Sequence, residues 1–125
     1  MTPQQKLKHM ILNRFIGLTL PEITAENIDD IYGKVEEDDE DSMQDLRSEV
    51  RGGEMETNIP EPHSRHYEAQ SVAAKAPDGS WIGWTYWYGG GKHGEPEAVE
   101  WMEDAYGLTC TEEEVMVVQR TFTKV

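Results

Sequence analysis

The stretch AAKAPDGSWIGWTYWY, residues 73 to 88, constrains the fold more than any other part of this chain. Pro77, Asp78 and Gly79 separate HYEAQSVAAKA (66 to 76) from SWIGWTYWY (80 to 88), a run dominated by aromatic and β-branched residues. An Asp-Gly pair between two such runs is a strong local hairpin signal, because glycine supplies the positive φ that a tight turn demands. The strand from Trp81 to Tyr88 places Trp81, Gly83, Thr85 and Trp87 on one face and Ile82, Trp84, Tyr86 and Tyr88 on the other. Both faces are partly apolar. This is the pattern of a central strand covered on one side and touched by helices or a partner on the other.

The glycine run 89 to 91 ends that strand, and Glu95 with Pro96 reads as a helix start. A helix over 96–106 would bury Ala98, Trp101, Met102, Ala105 and Tyr106, turn Glu97, Glu100, Glu103 and Asp104 to water, and stop at Gly107. VMVVQRTF, Val115 to Phe122, reads as a third strand. The order is β, β, α, β.

Upstream the period is helical. Thr2 and Pro3 suit a helix start, and Leu7, Met10, Ile11, Arg14 and Phe15 recur at spacings of three and four up to Gly17. Thr24 with Asn27 resembles a weak second start, followed by an apolar face of Ile28, Ile31, Tyr32 and Val35. Six consecutive acids, Glu36 to Asp41, then repel one another at helical spacing. The tract therefore predicts two helices, or one frayed in its middle, ending at Gly52 and Gly53. Glu54 to Pro62 is polar and proline-bracketed. The expected fold is α+β: N-terminal helices followed by a small three-stranded antiparallel sheet (β-β-α-β) with one packed helix. Its regions are an acidic helical part (1–53), a linker (54–63) and a sheet part (64–125), within a length that suits one compact domain.

Charge limits the partners. The chain carries 25 acidic and 11 basic side chains, a formal net charge of −14. Residues 22 to 61 hold 15 acids against 3 bases, a net of −12, whereas residues 1 to 21 carry Lys6, Lys8 and Arg14 with no acid. Nucleic acid and anionic membrane surfaces are disfavoured, because affinity for both comes from cationic side chains. The predicted partner is a basic surface of another protein, with a homodimer also open. The single cysteine, Cys110, excludes an internal disulfide. The N-terminal apolar run is interrupted by Asn13 and Arg14 and reads as neither signal peptide nor membrane span, so cytosolic residence is expected.

No nucleophile, metal or nucleotide motif is complete. GGGKHG (89 to 94) lies between a strand and an expected helix but lacks both phosphate-loop fingerprints, and Glu95, Glu97 and Glu100 follow it. His63, His66 and His93 show no zinc spacing, and the acidic run lacks the alternation and glycine of a calcium loop. No cofactor and no metal is predicted. An enzyme would need a pocket joining His93, Glu97 and Cys110. A helix-turn-helix regulator would use the second helix, 24 to 35, whose Glu26, Asp29 and Asp30 suit a DNA groove poorly.

The reading that fits best is a small acidic binding or inhibitory protein. Rows of carboxylates can imitate a phosphate backbone and occupy a nucleic-acid groove, as in a phage or mobile-element protein acting against a host DNA-processing or defence protein. The expected contacts are Tyr32, the run Glu36, Glu37, Asp38, Asp39, Glu40 and Asp41, then Trp84 or Tyr86, and the loop tip Lys92 and His93. The acids are expected mainly to steer the encounter and the others to supply short-range contacts.

Overall fold

The computed structural model describes residues 1–125. Three helices, α1 (Pro3–Leu12), α2 (Ile28–Asp38) and α3 (Glu40–Arg51), precede four strands, β1 (Met55–Glu56), β2 (Glu68–Lys75), β3 (Trp81–Tyr88) and β4 (Tyr106–Leu108). The strands form one antiparallel sheet in the order β1-β2-β3-β4.

The hairpin forms where its turn signal stands. Lys75 pairs with Trp81 and Glu68 with Tyr88, so β2 and β3 match over their full length. Gly79 takes φ +88°, and the Asp78 carboxylate accepts from the Ser80 backbone N–H at 2.9 Å and the Ser80 hydroxyl at 2.6 Å. These two bonds, with Lys6 Nζ 3.4 Å away, hold the Asp78 carboxyl down at about 2. Lys6 also donates to the Ser80 hydroxyl at 2.7 Å, which ties α1 to the turn.

Helix boundaries follow local chemistry. Thr2 and Gln5 close a reciprocal capping box at the start of α1, which satisfies two otherwise orphaned N–H groups. Asn27 accepts from the Thr24 N–H at 2.7 Å, and the Asn27 and Ile28 N–H groups donate to the Thr24 carbonyl, so the weak start at Thr24 is a turn ahead of α2 rather than its first residue. Asp39 leaves helical geometry at φ −150°, ψ 73°, and its side chain accepts from the Ser42 N–H at 3.2 Å. The acidic tract is thus two helices broken at one residue.

Even-numbered residues of β2 and β3 face the helices. Val72, Ala74, Ile82 and Trp84 join Leu7, Ile11, Ile28, Met43 and Val50 in one core that also takes Trp101 and Ala105. Trp84 is fully buried, 5.5 Å from the Trp101 ring, and its indole N–H donates to the Arg51 carbonyl at 2.8 Å. The opposite face carries no helix. There Tyr106 and Leu108 lie over Gly83, where a Cβ would stand 2.8 Å from each side chain. The packing of β4 on β3 therefore requires glycine.

The expected three-stranded β-β-α-β arrangement is not what forms, and three elements differ. The helix over 96–106 is replaced by a short 3₁₀ turn, Pro96–Ala98, a loop and β4. Val99 is extended, and the Glu100 carboxylate accepts from the N–H groups of Met102 and Glu103, which takes the donors that a helix would use. Of the apolar residues assigned to a helix face, Trp101 and Ala105 are buried in the core and Met102 packs against it, whereas Ala98 is exposed and Tyr106 lies over Gly83 on the opposite face of the sheet. Gly107 is the middle of a strand opposite Ile82 rather than a helix cap. Val115 to Phe122 is not a strand of this sheet, because no edge receives it. Conversely, β1 arises inside the expected linker, where Met55 pairs with Ala73 and Glu56 with Val72.

Candidate protein-binding surface

The acidic corner between α2 and α3 is the most strongly charged feature of the fold. Glu37, Asp38, Asp39, Glu40 and Asp41 are all exposed, and none takes part in an ion pair. Asp41, Asp45 and Glu49 continue from it along α3 at helical spacings of four, and all three are exposed. Each step of four advances about 6 Å, so the carboxylates form a row rather than a cluster. Only Glu49 has a cation near it, Arg14 at 3.7 Å.

Glu36 differs from its neighbours. It is half-buried and paired with Arg47, whose Nε also donates to the Tyr32 hydroxyl at 2.7 Å. The Arg47 guanidinium lies 5.5 Å from the Tyr32 ring centre and Lys8 Nζ lies 5.4 Å from it. Burial raises the Tyr32 phenol above its ordinary value, and the bond from Arg47 opposes this only in part. With 7% of its surface exposed, Tyr32 braces α2 against α3 and offers no ring to a partner.

Of the other expected contacts, Trp84 is fully buried and belongs to the core. Tyr86 is half-buried and stacks on the exposed Tyr88 at 5.6 Å, with the Arg51 guanidinium 4.7 Å from its ring centre. Lys92 and His93 are exposed on a 3₁₀ turn, Gly91–His93. The corner and Tyr86 lie toward opposite ends of α3, which at twelve residues is about 18 Å long.

An open cleft of about 560 Å³ lies between the helices and the segment 97 to 103. Lys8, Arg47 and Arg51 line it: Lys8 pairs with Asp29 at 2.8 Å, Arg47 with Glu36 and Tyr32, and Arg51 donates one terminal N–H to the Trp87 carbonyl at 2.6 Å while its buried Nε has no partner. Glu97, Glu100 and Glu103 also line it, so the charges offset and no anion site results.

His93, Glu97 and Cys110 are not gathered into a pocket. Leu108 pairs with Trp81 at one end of β3, so Cys110 lies beyond that end, whereas His93 follows Tyr88 at the other. The strand between them spans about 23 Å. The phosphate reading of GGGKHG loses its physical basis, because a 3₁₀ turn rather than an α-helix follows. Fifteen residues, 13 to 27, separate α1 from α2, far more than the turn of a helix-turn-helix. No group of three or more His, Cys, Asp or Glu side chains is placed to hold a metal ion. No helix is long and apolar enough to cross a membrane.

Sequence reasoning missed Arg51, Tyr88, Asp45 and Glu49. The spacing of Asp41, Asp45 and Glu49 was legible, but it gains meaning only once α3 is known to start at Glu40. No family of proteins, curated protein or solved structure matches this chain.

Proposed function

We propose that this protein binds a basic surface of another protein through the α2–α3 corner and the carboxylate row of α3. The observation that carries the reading is the absence of internal cationic partners for five consecutive exposed acids, Glu37 to Asp41. Charges without a counterion inside the fold remain available to an outside cation. The row resembles a phosphate backbone in sign and regularity, so the basic surface proposed is a nucleic-acid groove of a DNA-processing or defence protein. A phage or mobile-element antagonist is the setting that such mimicry fits, and the cytosol, where the thiol of Cys110 stays reduced, is the proposed compartment. Tyr86, Tyr88, Lys92 and His93 supply shorter-range contacts in this reading.

The test uses the variant Glu37→Gln, Asp38→Asn, Asp39→Asn, Glu40→Gln and Asp41→Asn, in which the amide that replaces the Asp39 carboxylate can still cap α3. A partner recovered with the natural protein is titrated at low and high salt and in competition with duplex DNA. Binding that weakens with salt, excludes DNA and associates more slowly with the variant supports steering by the corner. Salt-insensitive binding, or an unchanged association rate, discards the mimicry.

A further inference from the structure

The segment that follows β4 is the least explained part of the molecule. Val115, Met116, Val117, Val118 and Phe122 are 71% to 100% exposed, an unusual run of large apolar side chains in water. Residues 109–125 make no backbone hydrogen bonds to the rest of the fold. Yet residues 112–125 contain no glycine or proline and are rich in β-branched side chains, a composition suited to pairing as a strand. To pair as a strand, the segment needs a neighbour from outside its own sheet.

We propose that this neighbour is the same segment of a second copy, paired antiparallel about a two-fold axis at Gln119. The charge order is the reason. Glu112, Glu113 and Glu114 precede the apolar run, while Arg120 and Lys124 follow its start. Antiparallel pairing centred on Gln119 sets Glu114 opposite Lys124, Met116 opposite Phe122, and Val115 and Val117 opposite Thr123 and Thr121. The symmetry supplies each pair twice. Parallel pairing would align glutamate with glutamate, which is unfavourable across a strand pair.

Local charge agrees with a second copy. Residues 112–125 carry three acids and two bases, a net of −1, in a chain whose total is −14. The segment is thus close to neutral, and its pairing with a second copy sets little like charge together. A two-stranded ribbon alone is marginal in water and needs an apolar surface beneath it. The helix-free face of the sheet supplies one where the segment departs: Met55, Trp81 and Leu108 line a shallow hollow there beside Cys110.

Sedimentation velocity over a micromolar concentration series tests the pairing with the full chain. The natural protein is expected to dimerise. Glu114→Lys and Lys124→Glu should each weaken that dimer about tenfold, since both symmetric pairs become repulsive. Mixing the two variants should restore dimers, because the mixed pair recovers opposite charges at both positions. In a Cys110→Ser background, Gln119→Cys should form an intermolecular disulfide on oxidation, and Val115→Cys should not. A monomer at every concentration overturns the proposal. So does a dimer indifferent to charge reversal, or one in which Val115→Cys cross-links as readily as Gln119→Cys.

Discussion

Two segments of this chain are built alike and end differently. SWIGWTYWY and VMVVQRTF are both short, β-branched or aromatic, and free of proline, yet the first is the centre of the sheet and the second lies exposed in water. The difference is supply of a partner. β3 has β2 delivered to it by a turn of a few residues, with Asp78 and Ser80 fixing the register and Lys6 holding the turn to α1. Residues 115–122 follow a polar stretch that returns them to no edge. Strand propensity describes what a residue tolerates on a pleated surface, and that surface must come from somewhere else.

Substitution of Trp84 by alanine is the strongest way to break the comparison on its ordered side. The side chain is fully buried against Trp101, so the loss should be about 3 to 5 kcal/mol, measured by denaturant unfolding. A loss under about 1 kcal/mol would mean that β3 is not the organising strand. Asp78→Ala probes the turn. The carboxylate is held at about 2 against an ordinary value of 3.8, so it stabilises the fold above about 3.8 and that contribution disappears as pH falls through about 2. The natural protein should therefore lose stability across this window in acid titration more steeply than the alanine variant. Equal slopes would show that the bonds to Ser80 do not persist in solution. Val117→Lys is the smallest change expected: about 0.5 kcal/mol or less in unfolding at low protein concentration, because Val117 touches no core. A larger loss would place residues 115–122 within the fold of a single chain.

The helices and the hairpin were legible because their signals are local. Thr2 and Pro3 start α1, the acid run breaks at Asp39, and Pro77 to Gly79 turn the chain. What failed depended on competition between distant parts. The apolar spacing of Ala98, Trp101, Met102 and Ala105 does match a helix face, but Trp101 reaches Trp84 from a loop, and pairing of Tyr106 to Leu108 with β3 draws the backbone out straight. Two-residue β1 has no pattern of its own and exists because β2 offers an edge. The candidate surface was partly legible. The acids were recognisable as a group, whereas the withdrawal of Glu36 by Arg47 and of Tyr32 and Trp84 into packing needed the third dimension.

Arg51 closes α3 against the strand in both directions: its carbonyl receives the Trp84 indole and its guanidinium reaches the Trp87 carbonyl. Mechanically, α3 is held along its length, by Met43 and Val50 in the core, by Arg47 at Tyr32 and by Arg51 at the strand. Any sliding of α3 along β3 must break the two hydrogen bonds that Arg51 makes to the strand. Trp84 is thus the hinge pin of the joint between helix and sheet: its indole hydrogen bond fixes where α3 sits on β3.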